Sequence, residues 1–328
     1  MREKVLITGA SGFLGYHIIN AAVTNGYDVY AAIRKSSNIK HLEQLPINYV
    51  ELDFKNAAAL EKLFEEKEFD FVIHAAGITK ANDEAEYDLI NNVYTQNLAT
   101  AAAKSTKIKR FVFISSLASI GPLKNTGESI TENTMPNPVT AYGKSKLNAE
   151  NNLKKLDIAV TIFRPTAIYG PREKDIFIVT QTISKGIDAY IGRINQQLSF
   201  VYGADMGDVA VKALEQTGAN TDYNITDGNS YSRYAYADIV KKLLAKKAVR
   251  LHLPLPVIKV LFFVVEKINK SMNKVPAVSI EKLNELTAEN WACDISKAKK
   301  ELGFEPKFDL EKGLKASVEW YKENKWLK

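Results

Sequence analysis

Short apolar runs and longer helical segments alternate along this 328-residue chain, and that alternation restricts its fold more than any other feature. "KVLITG" (4–9), "YDVYAAIR" (27–34), "INYVELDF" (47–54), "FDFVIHAAG" (69–77), "KRFVFISS" (109–116) and "IAVTIFRP" (158–165) read as six strands. Between them, residues 13–25, "AAALEKLFEEK" (57–67), 84–104 and Ala141 to Lys155 carry helical periodicity. Buried strands alternating with helices specify an α/β fold with a mostly parallel sheet covered on both faces. Right-handed crossovers make it doubly wound, with ligands outside the carboxyl ends of the strands.

The pattern loosens after Tyr169. "SFVYGADMGDVAVKALEQ" (199–216) reads as strand then helix, "DYNITDG" (222–228) as a short strand and turn, and "YADIVKKLLAKK" (236–247) as helix. No Gly/Ser linker and no repeat divides the chain. The expected organisation is a sheet body over 1–168 and a smaller C-terminal lobe over 169–328. Some segments of the lobe return to the sheet, and the cleft between the two is the natural substrate site.

The first strand runs into "TGASGFLG", with Gly9, Gly12 and Gly15 three apart and a helix following from Phe13. A glycine loop between strand and helix suits a pyrophosphate. Gly9 allows a tight turn, Gly12 lets phosphates approach the backbone, and Gly15 lets the helix pack closely on the sheet. The helix N-terminus presents free amides and partial positive charge to the anion.

This spacing after Thr8 resembles the short-chain dehydrogenase/reductase superfamily, in particular its extended branch of NAD-dependent epimerases and dehydratases. The resemblance implies a Rossmann fold and a serine, a tyrosine and a lysine at set places. The chain has them. "YGKSK" (142–146) puts Tyr142 and Lys146 on one helix face. The strand "FVFISS" ends in Ser115 and Ser116, and the family's segment, similar to "ISSLASIGP" here, places the catalytic serine at Ser116. A second Tyr-x-x-x-Lys, Tyr321 to Lys325, sits in an amphipathic terminal helix and is read as structural.

Hydride transfer at a carbon requires proton transfer at its oxygen. Tyrosine, with a pKa of about 10, is a weak base at neutral pH, and a nearby ammonium lowers that value. Tyr142 is therefore expected to be the general acid/base, and Lys146 to lower its pKa. Ser116 is expected to hydrogen-bond the substrate oxygen. The resemblance implies that Lys146 also holds the nicotinamide ribose. It assigns the cofactor to Gly9, Ser11, Gly12, Phe13, Leu14 and Gly15, to Asp53 and Phe54 ending strand three, and to Ala75, Ala76 and Gly77 of "HAAG". Asn92 in "NNVYTQNL" and Pro165 in "FRPTAIYGP" complete its set, with Tyr142 and Lys146.

Strand two ends in "AAIRKSS", so Ile33 stands where NAD-preferring folds place a carboxylate. Arg34 and Lys35 follow, and Arg34 can grip a 2′-phosphate. The expected cofactor is NADP in preference to NAD.

The expected activity is hydride transfer between the cofactor and a small-molecule carbonyl or hydroxyl group, as in carbonyl reductases and alcohol dehydrogenases. The resemblance is nearest to the dihydroflavonol reductase and 3β-hydroxysteroid dehydrogenase-like groups. A nucleoside-diphosphate-sugar epimerase is the alternative. Its diphosphate would need cations in the C-terminal lobe, for which Arg172 and Arg193 are candidates. A third reading is an NADP-binding sensor that catalyses nothing.

Residues 253–265, "LPLPVIKVLFFVV", are unusually apolar but too short to span a bilayer. They read as a helix over the substrate cleft, or as a peripheral membrane contact. The net charge of +6 is spread without a basic block, which argues against nucleic acid. The single cysteine, Cys293, reads as an apolar filler, and it fits a cytoplasmic protein. His17, His41, His74 and His252 lack ligand spacing, so no metal is expected. The resemblance implies a homodimer paired through two helices, for which residues 84–104 and 141–156 are candidates.

Overall fold

The structure is a computed structural model that describes residues 2–272, 275, 276 and 279–327. The strands are β1 (Lys4–Thr8), β2 (Asp28–Ile33), β3 (Asn48–Glu51), β4 (Phe71–His74), β5 (Arg110–Ile114), β6 (Val160–Pro165) and β7 (Ala167–Tyr169). They continue as β8 (Ile187–Ile191), β9 (Gln197–Leu198), β10 (Phe200–Tyr202), β11 (Thr221–Ile225), β12 (Tyr231–Ser232) and β13 (Val249–Leu253). The helices are α1 (Phe13–Thr24), α2 (Ala57–Lys67), α3 (Glu84–Asp88), α4 (Tyr94–Lys104), α5 (Ala141–Leu153) and α6 (Phe177–Ser184). After them come α7 (Gly203–Lys212), α8 (Ala235–Leu244), α9 (Leu255–Ser271), α10 (Lys282–Leu286), α11 (Ser296–Leu302) and α12 (Leu310–Glu323).

Seven strands form one sheet in the order β11-β6-β5-β4-β1-β2-β3. Every pair in it is parallel. The chain winds outward from β1 through β2 and β3, then returns to β4 on the other side. The crevice for a ligand therefore opens where β1 and β4 run side by side, with Thr8 opposite His74. One apolar core, with Val5, Ile7, Ile18, Val112 and Phe163, lies on one face of the sheet. Another, with Leu6, Phe64, Val72, Phe111 and Ile162, lies on the other. Alternate strand residues feed the two cores, so both faces are covered.

β11, from the C-terminal half, pairs with β6 and completes the sheet edge. The lobe has its own core of Tyr169, Ile183, Phe200, Tyr202, Tyr236 and Leu314.

Local signals fix the element ends. Asn56, Thr140 and Asp309 cap α2, α5 and α12, each accepting from an amide three residues on. The segment 84–104, expected as one helix, is broken by a π turn over Leu89–Val93. The wider turn buries both Asn91 and Asn92.

The run 253–265 departs from its expected position. α9 lines none of the cavities at Tyr142. Ile258 is 4% exposed, whereas Val260 is 65% and Val257 58% exposed. The short α10 takes the place over the cleft and leaves much of α9 in solvent. No helix among the described residues is long and apolar enough to cross a membrane.

Candidate active site

Gly12 is the N-cap of α1, with extended φ −82° and ψ 172° and no side chain closing the first turn. The amides of that turn therefore face an exposed position. Gly9 has φ +70°, and a Cβ there would lie 2.6 Å from the carbonyl oxygen of Ala75. A Cβ on Gly15 would lie 2.2 Å from Gly9 O, so α1 packs against the turn itself. These are the contacts of a loop that only glycine can build. The open helix end and the bare cradle fit a pyrophosphate.

Cavities lie on both sides of this loop. Ser11, Gly12 and Phe13 line one of about 540 Å³, with His41 and Arg172. Leu14, Ala75, Gly77, Ser116, Tyr142, Lys146 and Pro165 line another of about 280 Å³. A third, of about 270 Å³, shares Ser116, Tyr142 and Pro165 with the second and reaches into the lobe. Ser116 and Tyr142 thus stand where the loop-side cavity meets the lobe-side cavity.

β5 delivers Ser116 and α5 delivers Tyr142 and Lys146. The two serines diverge because successive strand residues point oppositely. Ser115 Oγ donates to buried Glu150 at 2.5 Å. Ser116 caps the short turn at Leu117–Ser119, where its Oγ accepts from Ala118 N at 3.2 Å, and it lines both cavities with Tyr142. Lys146 Nζ donates to Ile114 O at 2.9 Å and lies 4.7 Å from the centroid of the Phe113 ring. Glu150, one turn further along α5, also accepts from Ser119 and from Arg164, whose Nη2 is 2.6 Å away. Arg164 reaches on to Asp222 at 2.8 Å. This buried network ties α5 to β5, β6 and β11.

Burial dominates the electrostatics. It pushes Tyr142 up to about 12, with Glu285 and Tyr87 adding to the rise and the Ser116 hydrogen bond opposing it. The ammonium of Lys146, expected to act on this phenol, donates to the Ile114 carbonyl and lies over the Phe113 ring. Burial also lowers Lys146 to about 8, against the pull of Glu150.

A buried chain supports the loop after β4. Thr95 Oγ1 donates to Asn91 O at 2.8 Å, so His74 Nε2 must donate to Thr95, at 2.9 Å. His74 Nδ1 then accepts from Thr8 Oγ1 at 2.7 Å, and Ala76 N donates to the same oxygen at 3.1 Å. The imidazole is held neutral as the Nε2–H tautomer, and burial lowers it to about 3.

α10 forms the lid. Glu285 accepts from Thr140 Oγ1 at 2.6 Å, and Glu281 accepts from Ala141 N. Both carboxylates thus sit on the N-terminus of α5, where charge and free amides favour them. Lys282 is paired with Glu285.

The NAD dependent epimerase/dehydratase family model matches residues 5–226, which include the glycine loop, Ser116, Tyr142 and Lys146. The chain belongs to this family. Its members are NAD-dependent oxidoreductases and epimerases. A UDP-glucose 4-epimerase from Vibrio cholerae is 29% identical over 97% of this chain and 95% of its own. A ceramide reductase from Caulobacter vibrioides is 26% identical over 99% and 96%. The crystal structure of a UDP-glucuronic acid 4-epimerase from Bacillus cereus in complex with NAD is 25% identical, with a TM-score of 0.77 over 98% of this chain and 99% of that one.

For this family member, several residues lie apart from their expected setting. Asn92 is aimed away from the cleft, at Asp88 (3.0 Å) and Asn152 (3.0 Å). Its neighbour Asn91 accepts from Ile78 N at 2.8 Å and lies beside Gly77. Asp53 lines a separate cavity at the end of β3, and Phe54 stacks on Tyr94 at 6.1 Å. Arg34 and Lys35 are exposed beyond β2. Arg172 stacks over Tyr16 and Trp320 on the outer side of the glycine loop. Arg193 is exposed and lines none of these cavities.

Thr166, Leu198, Phe200, Glu285, Leu286 and Trp291 line the lobe-side cavity, and sequence reasoning missed them. They come from four separate segments with no shared spacing. Tyr321 is 2% exposed, and its hydroxyl donates to Gly170 O at 2.9 Å, so it anchors α12. Cys293 is buried, which pushes its thiol well up and keeps it protonated.

Proposed function

We propose that this family member is an NAD(P)-dependent carbonyl reductase or alcohol dehydrogenase acting on an apolar small molecule, with Ser116, Tyr142 and Lys146 as its chemical centre. The lining of the lobe-side cavity carries the reading. Leu117, Ala118, Ala167, Leu198, Phe200, Leu286 and Trp291 wall it, and the single cation among its described residues, Lys282, is neutralised by Glu285. Such a wall favours a hydrocarbon group over a diphosphate.

Gly9, Ser11, Gly12, Phe13, Leu14, Gly15, Ala75, Ala76, Gly77 and Pro165 would hold the dinucleotide, with Asp53 and Phe54 on the adenine side. When bound, the nicotinamide group donates or accepts the hydride. In reduction, Tyr142 gives its phenolic proton to the substrate oxygen and regains one from solvent. Ser116 donates a hydrogen bond to that oxygen. Lys146, one turn further along α5, supplies the positive charge of the centre. NADP is the proposed cofactor, because Arg34 and Lys35 follow β2 where a carboxylate would repel the 2′-phosphate. Arg34→Asp should raise the KM for NADPH more than that for NADH, and equal effects would count against NADP.

The full-length likeness to the Vibrio enzyme favours a second reading, nucleotide-sugar epimerisation. Neither Arg172 nor Arg193 reaches the lobe-side cavity, which weighs against it. The test is turnover of NADPH and NADH with a panel of apolar ketones, alongside interconversion of UDP-sugars. Ketone reduction lost in Tyr142→Phe supports the reductase. UDP-sugar epimerisation alone would replace it, and cofactor binding with neither activity would indicate a sensor. A reducing, cytoplasmic setting suits the one buried thiol. The helices at 84–104 and 141–156 pack side by side, joined by Asn92 and Asn152, and sedimentation would test a homodimer through them.

A further inference from the structure

α9 is apolar on both sides, and only one side is covered. Leu255, Ile258, Phe262 and Val265 turn inward. At 3.6 residues per turn, Val257, Val260, Leu261, Val264 and Ile268 form a second stripe, and each is 44–65% exposed. The strand leading into the helix adds Val249, Leu251 and Leu253, which project from one face of β13 and are also exposed. Ile187, register partner of Val249 on β8, is exposed beside them. Continuous exposed apolar surface of this kind marks an interaction site.

The charge beside the stripe is positive. Lys267 is exposed on its flank, 5.6 Å from the Phe263 ring centroid, and Lys259 is exposed further round the helix. Glu266, the one carboxylate of α9, is half-buried and turned toward the backbone amide of Ile280. A two-fold contact with a second copy would bring this same cationic flank against itself. An anionic lipid surface accepts both the stripe and the lysines.

We propose that α9, with the exposed face of β13, docks this chain on an anionic lipid surface. The helix lies in the interface plane; 17 residues make it about 26 Å long, and its lysines exclude a span. Pro276, Ser279 and Glu281 line a cavity with Tyr142, and α10 roofs the lobe-side cavity. Ile280, just before α10, and Leu286, at its end, are also exposed apolar side chains. On the reductase reading, docking lets a membrane-dissolved ketone enter beneath α10. The docking itself does not depend on that reading.

The test is co-sedimentation of the full chain with phosphatidylcholine vesicles, with and without phosphatidylglycerol. The wild type should pellet with the anionic vesicles and be released by salt. Val260→Glu with Val264→Glu should cut partitioning by about tenfold or more. Lys259→Glu with Lys267→Glu should bring anionic partitioning down to the neutral level. Unchanged melting and NADPH binding in both double variants would establish that they fold. The proposal fails if the wild type stays in the supernatant, or if the glutamates leave partitioning unchanged. It also fails if the apolar double variant only dissociates a dimer, because a second copy then covers the face. Vesicle binding needs no turnover, so its outcome is separate from that of the ketone panel.

Discussion

Lys146 donates from α5 to the carbonyl of Ile114 on β5 at 2.9 Å, so the helix bearing Tyr142 is fastened to the strand that ends beside Ser116. The lysine therefore holds geometry as well as charge. Tyr142→Phe should lower turnover about 10²–10⁴-fold with an unchanged melting temperature. Lys146→Met should lower it comparably and also destabilise the fold. A Tyr142→Phe enzyme with full turnover would remove the phenol from the mechanism.

The pH profile should report Lys146. Burial lowers it to about 8, so the ammonium is present below that pH and lost above it. Tyr142 stays protonated across the same range. The kcat/KM for reduction should thus fall as pH rises through about 8. Lys146→Arg, whose cation persists, should move that limb upward. A limb unmoved in an active Lys146→Arg enzyme would assign it to another group.

Acid should destabilise the fold through two imidazoles. Burial lowers His74 to about 3 and His17 to about 4, from 6.5. The unfolded chain binds more protons between pH 6.5 and 4, so stability falls as pH falls through that window. Each group contributes at most about 1.4 kcal/mol per pH unit. His74→Phe should flatten the slope measured by urea unfolding, even if its absolute stability drops.

Glu150 is fully buried and accepts from Ser115, Ser119 and Arg164. Glu150→Ala leaves the Arg164 guanidinium short of its main partner and should cost about 3–5 kcal/mol in chemical unfolding. Glu150→Gln keeps part of the hydrogen bonding and should cost less. A loss below about 1 kcal/mol in the alanine variant would reduce the pair to the worth of a surface ion pair.

Gly15→Ala should cost about 1–3 kcal/mol and weaken cofactor binding, since its Cβ would lie 2.2 Å from a backbone oxygen. Gly26→Ala makes the control for steric effects. Its Cβ would meet nothing within 4 Å, although its φ of +83° also resists a side chain. Cofactor titration separates the two, because only Gly15 touches the loop.

The sequence by itself determined the alternating sheet, the glycine loop and the spacing of Tyr142 and Lys146. These are local properties: strand burial, a turn only glycine can make, and two residues one helical turn apart. Tertiary structure alone decided the rest. It aimed Asn92 at Asp88 and Asn152, and it set the Lys146 ammonium on the Ile114 carbonyl. It also gathered Leu198, Glu285 and Trp291 around one cavity, and it left α9 bare while α10 roofed the cleft. Periodicity states which side chains are apolar, but which of them find a partner depends on distant segments meeting in space.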